Sequence, residues 1–168
     1  MIVVKTHEWG PHARQQFDAA ILLVRDPFDC ILAEFNRRAG GHVGYARQDK
    51  FTKDKGRYWQ DFVKTKARDW EDMNTDWISS FQGPLLVISY SDLVDRVEEQ
   101  LRRTLDFLGV SLTKEDMECT MNTKEGIYKR QKRRKATGSV FAYDLTRELT
   151  ERRGRVGRLV RERESQSD

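Results

Sequence analysis

Cysteine is nearly missing from this 168-residue chain: Cys30 and Cys119 are its only two. Two thiols exclude a disulfide scaffold and are too few for a structural zinc site without several histidines. Long apolar runs are missing too. The longest, residues 19–24, is six residues, far short of the roughly 20 needed to span a bilayer. Met1 opens directly on Ile-Val-Val, so the chain is expected to carry neither a signal peptide nor an anchor of its own. No charge of one sign dominates, since 31 Lys and Arg face 27 Asp and Glu, which leaves a net charge of +4 and a mildly basic surface. The remainder is enough for a fold. A 38% hydrophobic content with 10% aromatics in periodic groups predicts about one domain with a buried core and excludes wholesale disorder. Internal repeats are not evident.

The periodicity predicts alternating strands and helices. Residues 1–5 and 19–24 are short apolar runs with β-branched content, read as buried strands. Asp26-Pro27-Phe28-Asp29 supplies an N-cap, a proline at the first helical position and an acid in the first turn, and Gly40-Gly41 stops the helix that follows. Residues 42–57 are polar and read as a surface loop. Beyond it Phe62, Val63, Ala67, Trp70, Met73, Trp77 and Phe81 recur every three or four residues, an apolar face that must pack on something broad such as a sheet. Residues 85–90 read as a third strand. A further helix turns Val94, Val97, Leu101, Leu105 and Leu108 inward before Gly109. The alternation predicts an α/β fold with a parallel sheet flanked by helices, in which ligands bind beyond the carboxyl ends of the strands. Residues 141–168 read as a charged, solvated helical tail interrupted at Gly154 and Gly157, behind a domain over residues 1–140.

Three groups carry chemistry. Val24-Arg25-Asp26-Pro27 places a guanidinium where a strand gives way to the amides and positive dipole end of a helix, which suits a phosphate or a sulfate. Pairing of Arg25 with Asp26 or Asp29 is the alternative, and both readings stay open. Lys5-Thr6-His7-Glu8, at the end of the first strand, would open on the same edge. His7 can take a proton near neutral pH and Lys5 can balance charge on a transferred group. His12 and His42 lack such a setting and read as surface residues. The third group is the run 124–135, with seven basic residues against Glu125.

The order of four segments resembles that in sulfotransferases that use 3'-phosphoadenosine 5'-phosphosulfate (PAPS). They are Lys5-Thr6-His7, Leu22-Leu23-Val24-Arg25-Asp26-Pro27, Val87-Ile88-Ser89-Tyr90-Ser91-Asp92-Leu93 and Glu125-Gly126-Ile127-Tyr128-Lys129-Arg130. Ala33-Glu34-Phe35-Asn36-Arg37, Gly41-His42-Val43-Gly44-Tyr45-Ala46 and the Trp-rich helix are similar to the sulfotransferase domain of WSC domain-containing proteins. The likeness covers roughly residues 1–135. It implies a P-loop NTPase-like sulfotransferase fold, N-terminally truncated, and a reaction that moves a sulfuryl group from PAPS to a hydroxyl of a carbohydrate-type acceptor without a metal.

Residue by residue, the resemblance gives Arg25 to the 3'-phosphate of the nucleotide, Tyr90 to the adenine, and Gly126, Lys129 and Arg130 to a loop closing on the same phosphate. His7 corresponds to the acceptor-activating base of cytosolic members, with Glu8 as rival, and Lys5 would contact the sulfuryl group. A stacking face on Tyr90 agrees with its assignment, and a core tyrosine is the alternative. Two departures stand out. Many members carry a serine eight residues after the arginine; here Ala33 takes that place, so Arg37, Arg38 or a loop group is expected to compensate. The family's 5'-phosphosulfate loop lies upstream of Lys-Thr-His, and Met1 begins too late to include it, so the chain is expected to be a fragment. The resemblance also implies a Golgi membrane protein whose lumenal domain this is, with any membrane contact made through segments not in this chain. Rival functions are a catalytically incomplete nucleotide-binding relic and a nucleic-acid patch over residues 124–135, the latter weighed below simple solvated surface.

Overall fold

A computed structural model of the chain describes residues 3–123 and 140–165. The elements run α1 (Pro11–Arg14), β1 (Ala20–Val24), α2 (Pro27–Gly40), α3 (Gln48–Thr52), a 3-10 turn (Lys53–Gly56), α4 (Arg57–Ser80), β2 (Leu85–Ser89), α5 (Tyr90–Asp95), α6 (Val97–Leu108), α7 (Lys114–Asn122) and α8 (Tyr143–Ser165). The two strands pair in parallel, with Ala20 opposite Leu85 and Val24 opposite Ser89. A parallel pair needs a long crossover, and residues 25–84 supply it as helices. The expected parallel α/β architecture therefore holds. Gly83 is fixed by close approach, because a Cβ there would come within 2.5 Å of the Asp18 carbonyl oxygen as the chain enters β2.

Helix α4 is the spine. Its Trp59, Val63 and Ala67 pack with Ile31 and Phe35 of α2 and with Leu145 and Leu149 of α8. Two turns further on, Trp70, Trp77 and Ile78 close over Leu22 of β1, Ala13, Phe81 and Val156. Aromatic rings knit the first cluster, with Phe35 and Trp59 edge to face at 4.7 Å.

Four local expectations are corrected. Residues 3–9 form no strand, and Val3 and Val4 are 70% and 60% exposed. A β-branched run becomes a strand only where a neighbour supplies the ladder. Here α4 captures the segment instead: Trp77 Nε1 donates to the Glu8 carbonyl (3.1 Å), the Gly10 amide donates to Asp76 (2.7 Å), and Arg14 pairs with Asp76. The surface loop at 42–57 contains α3, which folds back because Phe51 packs on Phe35 at 4.9 Å. On α6 the expected inward face is half-buried, Val94 ahead of it is exposed, and its one fully buried residue is Gln100, which accepts from Arg103 at 2.7 Å.

The solvated tail is the largest correction. Helix α8 is continuous through Gly154 and Gly157 and buries Leu145, Leu149 and Val156. Each helical glycine costs about 1 kcal/mol against alanine, and one fully buried leucine offsets that with about 1.5–3 kcal/mol. Ion pairs fix the register against α4: Arg155 Nε reaches Glu71 Oε1 at 2.5 Å, Arg152 pairs with the same carboxylate, and Arg152 also holds Glu148 at 2.8 Å.

The hydrogen bond from Arg155, followed by that from Arg152, holds the Glu71 carboxyl below the usual carboxylate range. A folded value below the unfolded one contributes stability that is present above the ordinary range, near about 4.3, and is lost as pH falls through the lower folded value. The Glu71→Gln variant should therefore melt lower than the parent at pH 7, with the gap narrowing as pH falls towards 3. Melting curves at several pH values test this, and a constant gap would disprove it.

Candidate functional site

The parallel register decides which residues share an edge. Val24 and Ser89 are the last paired residues of the two strands, so Arg25 and Tyr90 leave the sheet side by side at its carboxyl end. There the Arg25 guanidinium carbon lies 4.5 Å from the centroid of the Tyr90 ring. Trp70 Nε1 of α4 donates to the Arg25 carbonyl at 3.0 Å and ties down the backbone there. Tyr90 is 36% exposed and hence not a core tyrosine. Its neighbours Ser89 and Ser91 join hydroxyls at 2.7 Å.

Helix α2 starts at the same point. Asp26 caps it, its carboxylate accepting from the Phe28 amide at 2.9 Å while Pro27 occupies the first turn. The other carboxylate oxygen of Asp26 is held at 3.0 Å by Arg153 of α8. Arg25 is therefore not paired with Asp26, and no carboxylate among the described residues bridges to it. Its Nε is buried and has no hydrogen-bond partner. A buried donor without an acceptor is costly, and a guanidinium offers a planar fork matched to phosphate or sulfate. Cys30, one turn into α2, is close enough to feel that charge: burial pushes its thiol up, and Arg25 pulls it back.

The remaining expected residues fall elsewhere. Lys5, His7 and Glu8 are exposed, and the segment does not emerge from the strand edge beside Arg25. The Glu8 carbonyl is tied to Trp77, whereas that of Arg25 is tied to Trp70. Seven residues on one helix face separate these anchors by about 10 Å along the axis. Gly126, Lys129 and Arg130, with the rest of the 124–135 run, lie outside the described residues. Arg37 and Arg38, expected to make up for Ala33, are both drawn to Glu34, at 2.7 Å each. The Arg37 hydrogen bond first, with Arg38, lowers the Glu34 carboxyl to about 2.

The site contains residues that sequence reasoning missed. Ser89 and Ser91 flank Tyr90 and could have been read from the strand-to-helix junction. Arg153 carried no such signal, because it is 127 residues from Asp26 and sits in an alternating Arg/Glu stretch. An open cleft of about 500 Å³ between α6 and α7 is lined by Glu98, Arg102, Lys114 and Met117. It mixes both signs of charge, and Glu98 already holds Arg102 at 2.7 Å. Among the described residues no cluster of three or more His, Cys, Asp or Glu is placed to hold a metal.

Residues 18–114 match the Sulfotransferase family. The chain is similar to WSCD family member CG9164 of Drosophila melanogaster, 49% identical over 133 residues that cover 79% of this chain and 42% of that protein. WSCD family member AAEL009094 of Aedes aegypti is 51% identical over the same shares of each chain. The chain thus spans less than half the length of these relatives. No solved structure matches it. A parallel strand pair flanked by helices is consistent with the fold of that family.

Proposed function

The chain belongs to the sulfotransferase family, and from that premise we propose that its Arg25–Tyr90 edge is the 3'-phosphate and adenine half-site for PAPS. The observation that carries this reading is the buried, unpartnered Nε of Arg25 at the carboxyl end of a parallel strand. Guanidinium and helix N-terminus together would hold the phosphate, and the exposed face of Tyr90 would take the purine ring. Gly126, Lys129 and Arg130 are proposed to close on the same phosphate.

PAPS supplies the sulfuryl group, and the whole protein is proposed to deliver it to a hydroxyl of a carbohydrate-type acceptor in the Golgi lumen. Among the described residues no helix is long and apolar enough to cross a membrane. His7 or Glu8 is proposed to take the acceptor proton and Lys5 to balance charge on the transferred group. This division rests on the family resemblance, since the segment does not share the strand edge on which Arg25 opens. Positioning and electrostatics would do most of the work, as in phosphoryl transfer.

Calorimetry of the 168-residue chain with adenosine 3',5'-bisphosphate tests the half-site, and absence of binding would remove it. Sulfate transfer by the full-length gene product tests the chemistry. One of His7→Ala and Glu8→Ala should lower turnover by about 10²–10⁴-fold, the usual range for a positioned base. Unchanged turnover in both would dismiss the base assignment, and binding without any turnover would leave a nucleotide-binding relic.

A further inference from the structure

The C-terminal helix brings a second guanidinium to this edge. Arg153 Nη1 lies 3.0 Å from Asp26 Oδ2, and its guanidinium carbon lies 5.8 Å from the Phe28 ring centroid. The pair is partly open to solvent, with Arg153 51% and Asp26 36% exposed, so its worth to stability is small. Helix capping does not require it either, since Asp26 caps α2 with its other oxygen. What the pair does change is the charge on the rim of the anion site. Asp26 adjoins Arg25 in sequence, and an uncompensated carboxylate there would repel an incoming phosphate dianion.

Resting on the half-site reading above, we propose that Arg153 is a positioning residue for the nucleotide phosphate: held on Asp26 by the docked helix α8, it cancels the carboxylate that would otherwise oppose a phosphate at Arg25. The neighbouring Arg152 and Arg155 clamp α8 on Glu71, so the placement of Arg153 follows from helix packing and not from flexible reach. Phosphate affinity at the edge of the sheet is thereby linked to residues 143–165.

The test is calorimetry of the 168-residue chain with adenosine 3',5'-bisphosphate and with adenosine 5'-monophosphate, which lacks the 3'-phosphate. Arg153→Gln should weaken the bisphosphate by about tenfold, in keeping with one rim charge at a partly exposed site, and leave the monophosphate nearly unchanged. Arg153→Lys should retain most of the affinity. Asp26→Asn preserves a capping side chain, and combining it with Arg153→Gln should restore the bisphosphate to within a few-fold of the parent. That rescue would not follow if Arg153 served only to hold α8 in place. Equal losses for both nucleotides, or a double variant no better than Arg153→Gln, would overturn the proposal. If Arg25→Gln removes bisphosphate binding while Arg153→Gln leaves it untouched, the half-site stands and this inference falls. A parent chain that binds no bisphosphate would end both.

Discussion

Arg25→Gln is expected to weaken adenosine 3',5'-bisphosphate by about a hundredfold while leaving the melting temperature unchanged or slightly higher. The affinity loss follows from removing a charge-assisted, forked contact to phosphate, worth about 3 kcal/mol and hence about two decades in the dissociation constant. The stability effect has the opposite sign because the Nε of Arg25 is buried without a partner, a cost that the folded chain bears without ligand. Arg25→Lys should recover little, since an ammonium keeps the charge and loses the planar fork. Calorimetry and thermal melts on the same samples check both halves. Affinity within twofold of the parent would refute the role of Arg25, and a large drop in melting temperature would show that the contact of its guanidinium with the Tyr90 ring outweighs that cost.

The largest effect on stability should come from Leu149→Ala. Leu149 has no exposed surface and lies in the cluster of Phe35, Trp59 and Leu145, where α8 meets α2 and α4. Truncation in such a site costs about 2–5 kcal/mol, the lost transfer energy plus a cavity. Against a total of about 5–15 kcal/mol for a domain, that is a severe loss. Leu23 provides the comparison. It is 44% exposed on β1, and Leu23→Ala should cost well under half as much. Urea melts that give the two variants the same midpoint would contradict the docked helix. This prediction also bears on the proposed role of Arg153, because undocking α8 withdraws it from Asp26.

Local elements with strong, self-contained signals were legible. Asp26-Pro27 at the start of α2, Gly41 at its end, the apolar period of α4 and the αL glycine closing α6 each act within a few residues, and each appears where the sequence places it. Arg25 was legible as a candidate for the same reason, standing where a strand gives way to a helix, whereas Tyr90 was a candidate through the family resemblance. Less legible were segments whose fate depends on a distant partner. Residues 3–5 have the composition of a strand, but hooks on Trp77 and Asp76 hold the segment they lead into. The stretch of alternating Arg and Glu in α8 has the composition of a solvated helix, but every buried apolar side chain on it meets α4 or its neighbours.

The sequence by itself determined the alternation of strands and helices and the strand end at which Arg25 stands, because these depend on spacing and on residues close together in the chain, and its likeness to known proteins gave the family. Tertiary structure alone decided that Arg25 stays free of Asp26 and that Arg153 arrives from 127 residues away. The physical reason is the competition for charge. The Asp26 carboxylate goes to the guanidinium that packing brings to it, and that packing is set by the buried face of α8 against α4.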